Sequence, residues 1–118
     1  MTKVVLTQRA LRGIKQIDVY SVDTFGQNVA DEYMADMDRA FDLLSESPDL
    51  LRVQPEISGR LRFYRVRHHF LVCDVIESQI YVLAVMHGSM DLPNRIGELE
   101  PQLIQEVELM HRRYLQQE

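Results

Sequence analysis

The sequence predicts an α+β fold, an antiparallel-rich sheet covered by a helical hairpin, and three observations carry that expectation. A short β-branched run opens the chain and two stretches of helical apolar spacing follow it. After a loop containing proline and glycine comes a long block rich in Val, Phe, Tyr and Ile. The chain then returns to helical spacing up to its last residues, so the order is strand, helix, helix, three strands, helix.

Each element has a local reason. "KVVLT" over 3–7 reads as a strand, and the Thr7 hydroxyl can cap the first free amides of a helix behind it. Ala10, Ile14, Ile17 and Tyr20 recur on one helical face, and Gly26 can stop that helix by taking the left-handed conformation. Ala30, Tyr33, Met37, Phe41 and Leu44 form a second stripe that ends before Pro48. So short a connection folds the two helices back on each other as an antiparallel hairpin. Residues 45–60, with Pro48, Pro55 and Gly59, read as a loop. "LRFYRVRHHFLVCDVIESQIYVLAVMH" reads as three antiparallel strands, 61–67, 69–76 and 79–86, the last pair turning at "ESQ". The apolar run ending at Met86 suits a strand buried on both faces. The first strand cannot reach these by a hairpin, so it is expected to join the sheet after the helical crossover. Ile96, Leu99, Leu103, Val107, Met110 and Tyr114 give a final helix, which Pro101 suits as an opening residue rather than an interior one.

Composition bounds the function. A chain of 118 residues, 46% apolar and 26% charged, fits one compact domain. No apolar stretch is long enough to span a bilayer, and no charged segment followed by an apolar one opens the chain as a leader would. The lone Cys73 excludes a disulfide within the chain, and the cytoplasm is the expected location. The net charge of −5 is uneven: +3 over residues 1–20, −7 over 21–50, +2 over 51–90 and −3 beyond. An acidic protein has no general attraction to nucleic acid, so any RNA contact would be local. The acids at 31, 32, 36 and 38 are expected to form a solvated helix face.

Few residues suggest chemistry. His68 and His69 are adjacent and would point to opposite sheet faces, while His87 and His111 lack companions at ligand spacing. No metal and no cofactor is expected, and there is no glycine-rich phosphate loop. In "RLRFYRVRHH", alternation puts Arg60, Arg62, Tyr64, Val66 and His68 on one face and Leu61, Phe63, Arg65, Arg67 and His69 on the other. Such arginines could hold an anion, or could protect a strand from aggregation by their charge. His87, with Met90 and Asp91 behind it, could act as an acid or base at a strand end. The simpler reading has His87 and Asp91 hydrogen-bonding the turn that leaves the sheet, Asp91 capping the next helix.

"RHHFLVCDVIESQIYVLAVMHGSMDLP" resembles the C-terminal half of the ParE/RelE superfamily of type II toxin–antitoxin toxins. His69 to Cys73 fill the place of the family's "H-x-IFY" strand, and Met86-His87 to Met90-Asp91 that of its "LH…MD". The first-helix spacing of Ala10, Ile14, Ile17 and Tyr20 agrees, and the resemblance covers about residues 4–92. It implies a β-α-α-β-β-β toxin domain over 1–92, with 93–118 as a C-terminal helical extension of the same domain. It also implies a bacterial poison neutralised by, and assembled with, a cognate ParD-like antitoxin.

ParE-like members trap DNA gyrase, whereas RelE-like members cut messenger RNA on the ribosome. Asp74 and Ala84 stand near positions where many relatives carry arginine, and the chain runs on past the usual short C-terminus. Both departures favour the ParE-like, non-enzymatic reading. Target-binding candidates are then Arg62, Arg65, Arg67, His69, His87, Met90 and Asp91, and antitoxin-binding candidates are Ile14, Ile17, Tyr33, Met37 and Phe41. The nuclease alternative would use His87 with Arg62 or Arg65 as acid, base and phosphate clamp. A third alternative is a non-toxic interaction module whose C-terminal helix packs on a partner or on the chain itself.

Overall fold

The computed structural model describes residues 2–117. Strand β1 (Lys3–Leu6) leads into helix α1 (Gln8–Phe25), which Thr7 caps by accepting the Ala10 amide at 3.2 Å. Gly26, at φ 91°, ends α1 and begins α2 (Gln27–Glu46), so a single residue makes the hairpin corner. The segment read as a loop is more ordered than expected. It holds a 3-10 turn at Pro48–Leu50 and a two-residue strand β2 (Arg52–Val53), too short for sequence alternation to reveal. Strands β3 (Arg62–Val66), β4 (His69–Ile76) and β5 (Gln79–His87) follow, then helix α3 (Leu92–Gln116). Among the described residues, no helix is long and apolar enough to cross a membrane.

The sheet order is β1-β5-β4-β3-β2, and β1 joins β5 in parallel after the helical crossover, Val4 opposite Ile80 and Leu6 opposite Val82. The other pairs are antiparallel. Two cores result. On one face Tyr33, Met37, Ala40 and Leu44 of α2 meet Val66, Leu71, Cys73, Ile80 and Val82. On the other, Leu92, Ile96, Leu103 and Val107 of α3 meet Phe63, Val72, Tyr81, Leu83 and Met86. The C-terminal helix therefore packs on the chain's own sheet, and β5 is buried on both faces by it and the hairpin.

Asp91 caps α3, its side chain taking the Asn94 side-chain amide at 2.6 Å and the Asn94 backbone amide at 3.5 Å. Because the helix begins there, Pro101 lies well inside it rather than at its start. Proline's missing N–H leaves one carbonyl of the preceding turn without its helical partner. Pro101 is on the exposed side, where water can satisfy that group.

Polar contacts fix α3 from three directions. Arg9 of α1 grips Glu106 with two bonds of 2.9 Å, and this fork holds the Glu106 carboxyl below the usual range. Tyr81 and His111 are hydrogen-bonded at 2.6 Å in the interior. Arg60 bonds both buried Asp74 on β4, at 2.7 Å, and Glu108 on α3, at 3.3 Å.

Candidate functional site

One irregularity aims β5. The pairing runs His69 to His87 and Val72 to Ala84, then slips so that Cys73 faces Val82, leaving Leu83 as an extra residue. The Leu83 carbonyl accepts the Thr7 hydroxyl at 3.1 Å, while the Val82 carbonyl accepts the Thr7 amide at 3.0 Å. Leu83 and Ala84 consequently both pack on the α3 face, and every later side chain changes sides. His87 therefore lies on the hairpin face, directly opposite His69.

A second local feature sets β3. Arg67, at φ 51°, and His68 form the turn to β4, so Val66 pairs with His69 and shares its face. This corrects the strict alternation expected for "RLRFYRVRHH". Arg67 and His69 do not join Leu61 and Phe63; they meet Tyr33 of α2, because the turn interrupts the period of two.

At this end of the sheet a histidine cluster forms. The Tyr33 hydroxyl accepts the His68 amide at 3.2 Å and is hydrogen-bonded to His69 Nδ1. The rings of His69 and His87 cross at 5.0 Å, and His68 stacks beside His87 at 6.3 Å. Burial, reinforced by His87 and His68, lowers the His69 pKa to about 4. His69 is therefore neutral at pH 7, and its Nδ1 shares one hydrogen bond with the Tyr33 hydroxyl. Burial also raises the Tyr33 pKa, so the hydroxyl keeps its proton. His87 Nδ1 accepts the Ser89 amide at 3.0 Å and contacts the Ser89 hydroxyl at 2.7 Å, bracing the turn into α3. Arg67 lies over the Tyr33 ring at 5.3 Å and pairs with Asp36, which also holds Arg39. Asp36 is thus not part of a simple solvated face. Among the described residues, no three His, Cys, Asp or Glu side chains converge as a metal site would require.

Two outcomes follow from this packing. As pH falls from 6.5 towards 4, the unfolded chain takes up a proton that folded His69 resists. Stability associated with neutral His69 is fully present above 6.5 and declines through that window. The His69 ring resonance should titrate near 4, and His69→Gln should flatten the acid slope of urea stability; a midpoint near 6.5 contradicts the packing. Gly88→Ala should cost about 1–3 kcal/mol in urea unfolding. A Cβ there would meet the Phe70 ring at 3.2 Å and the His68 carbonyl at 3.3 Å, which the Gly88 amide already binds at 2.7 Å. Unchanged stability would contradict that close approach.

The sequence-expected residues are only partly gathered. Arg62 faces the hairpin side opposite Cys73, about 13 Å along β3 from the Val66–His69 row. Arg65 projects from the opposite face, over Phe70 at 5.4 Å. The two cannot clamp one phosphate beside His87. Met37 is 1% exposed and belongs to the core, and Phe41 packs against the same core. Ile14 is half-buried on α1. Tyr20, placed on the apolar stripe of α1, is 63% exposed and packs edge-on against Phe25 instead.

A groove of about 810 Å³ connects the remainder except Asp91, which caps α3. Ile17, Tyr33, Arg67, His69, His87 and Met90 line it, together with Arg9, Arg12, Tyr20, Phe25 and Val29 from the hairpin and Arg95 and Leu99 from α3. The hairpin arginines, the exposed aromatics and the α3 residues are absent from the sequence-derived set. The apolar stripe beginning at Ile96 signals that α3 is a helix, but nothing local says which sheet end it borders.

One solved structure shares this architecture. The chromosomal ParDE toxin–antitoxin system from P. aeruginosa aligns with TM-score 0.64 at 16% identity, over 74% of this chain and 96% of that one. An arginine double mutant of E. coli toxin RelE in the free state aligns with TM-score 0.49 at 17% identity, over 80% and 90%. No curated protein matches the sequence. The family model described as "ParE toxin of type II toxin-antitoxin system, parDE" matches residues 4–92, ending where α3 begins. With the sheet, the hairpin and the strand end bearing His87 all inside that match, the chain belongs to the ParE family of type II toxin–antitoxin toxins.

Proposed function

We propose that this chain arrests growth by binding DNA gyrase in the cytoplasm and that a ParD-like antitoxin holds it inactive in a complex. The family match over residues 4–92 carries this reading. The divergence of Arg62 and Arg65 supports binding rather than cleavage, because the phosphate clamp of a nuclease is not assembled beside His87. Messenger RNA cleavage keeps one favouring observation, the crossing of His69 and His87 at 5.0 Å.

Induced expression should stop replication and trigger a DNA-damage response, and the purified chain should inhibit supercoiling by gyrase or accumulate its cleaved-DNA complex. A genomic library of the source organism, selected for growth during induction, should yield the antitoxin. Unaffected gyrase with messages cut at codon edges would replace this reading with the nuclease one, and His87→Ala should then abolish the cuts. Growth that never slows would leave the non-toxic interaction module.

A further inference from the structure

A second cavity, of about 580 Å³, opens where α3 meets β1 and the first turns of α1. Each element turns one periodic face to it. Lys3 and Val5 stand two apart on β1 and so share a sheet face. On α3, Glu106, Leu109, Met110 and Arg113 follow the i, i+3, i+4, i+7 spacing of a single helix face. Arg9 and Arg12 reach in from α1. The α3 wall lies wholly beyond residue 92, outside the family-matched span.

The charge of this cavity opposes that of the chain. The protein carries −5, yet among the described residues the lining holds four cations, Lys3, Arg9, Arg12 and Arg113, and one acid, Glu106. Arg9 already grips both oxygens of that acid. Lys3 reaches over the Tyr114 ring, at 4.9 Å, rather than to a carboxylate. Arg113 stands in the last turn of α3, where the helix dipole favours a cation. That dipole accounts for one charge; Lys3 and Arg12 come from β1 and α1, and bringing them to the same hollow raises its positive potential. Like charges gathered by folding cost stability until an anion joins them.

We propose that this cavity binds a small organic phosphate. Lys3, Arg12 and Arg113 hold the phosphate oxygens, and Val5, Leu109 and Met110 pack against the organic body. Guanidinium forks match phosphate oxygens, and the volume falls within the range of about 300–1,000 Å³ usual for small-molecule sites. The floor is preorganised, because fully buried Tyr81 is fixed to His111 at 2.6 Å. A nucleic-acid strand is disfavoured: residues 21–50 carry −7 and those beyond 90 carry −3, so a polyanion leaving the cavity meets an acidic protein. The ligand ties α3 to β1 and α1, so its binding stabilises the folded chain. None of this depends on which target the toxin has or on its antitoxin.

The probes are adenosine diphosphate, glucose-6-phosphate and inorganic pyrophosphate, with adenosine as the uncharged control, each titrated calorimetrically into the full-length chain. At least one of the two organic phosphates should bind with Kd below about 1 mM and raise Tm, whereas adenosine should do neither. Which of them binds identifies the body as nucleoside or sugar. Lys3→Glu and Arg113→Glu should each weaken binding at least about tenfold, with a larger loss at low salt. Arg52→Glu, the same charge change on the far sheet edge, should leave it unchanged. Leu109→Ser should weaken the organic phosphate and spare pyrophosphate. All four positions are exposed, and circular dichroism checks that each variant is folded. Neither organic phosphate binding overturns the inference. Equal affinity for every variant overturns it by placing the ligand elsewhere. Pyrophosphate binding as tightly as the organic phosphates reduces the cavity to an unselective basic patch and overturns it too. Binding of a single-stranded RNA oligonucleotide where the small phosphates fail overturns it in favour of nucleic acid.

Discussion

Deleting residues 98–118 is expected to leave an unfolded or aggregated chain rather than a shortened toxin. Leu103 and Val107 are fully buried, and the truncation also uncovers Phe63, Val72, Tyr81 and Leu83 on the sheet. Each such side chain contributes about 1.5–3 kcal/mol by leaving water. Total stability for a domain is only about 5–15 kcal/mol, so losing several at once exceeds it. The Arg9–Glu106 fork and the Tyr81–His111 bond go with them. Circular dichroism and size-exclusion chromatography of the truncated chain test this. A monodisperse fragment with native strand signal would show that the sheet face tolerates exposure. In the full chain, Leu103→Ala should cost about 2–5 kcal/mol in urea unfolding, which places the loss in packing rather than length.

Arg60→Ala is expected to destabilise the protein by about 2–4 kcal/mol, an unusually large loss for a side chain that is itself partly exposed. The reason is its partner. Asp74 is 3% exposed in the middle of the sheet, and its carboxylate receives the Arg60 guanidinium at 2.7, 3.1 and 3.3 Å. Removing the arginine leaves that charge buried without a counterion, although water near the exposed end of the site moderates the cost. Removing both charges should be far milder. Arg60→Met/Asp74→Leu should recover much of the stability lost in Arg60→Ala, since an apolar pair carries no desolvation penalty. Urea denaturation of the wild type, Arg60→Met, Asp74→Leu and the double variant measures the coupling. A loss below about 1 kcal/mol for Arg60→Ala would mean the pair behaves as an ordinary surface bridge. Asp74 stands near a place where many relatives are expected to carry arginine. Here it supports the fold, tying β4 through Arg60 to α3.

Much of this architecture was legible because local rules and tertiary packing agree. The Thr7 cap, the Gly26 corner, the "ESQ" turn and the stripes of α1, α2 and α3 depend on side-chain chemistry within a few residues. The β5 run was readable as a doubly buried strand because its apolar residues are continuous. Strand β2 was not, since two residues carry no period. Pro101 misled for a related reason: a helix interior tolerates proline when the freed carbonyl reaches water, and only the packed helix shows which side is wet.

The candidate site was less legible. Ile17, Tyr33, His69, His87 and Met90 share a groove, but the nuclease alternative groups Arg62 or Arg65 with His87 on charge and family resemblance alone. In the sheet they occupy opposite faces. Arg12, Tyr20, Phe25 and Arg95 come from elements far apart in sequence, and only the docking of α1 and α3 around the sheet end brings them together.

The sequence by itself determined the order of elements apart from β2, the hairpin, the three antiparallel strands and the resemblance that led to the family. It also supplied "MHGSMD" at the strand end. Which way His87 points was decided elsewhere, by the extra residue Leu83 held on Thr7. In a run where every side chain is apolar, alternation leaves no mark, so a one-residue slip is invisible in the letters. The slip acquires a direction only when β4, α1 and α3 pack around β5, and it sets His87 against His69 rather than beneath α3.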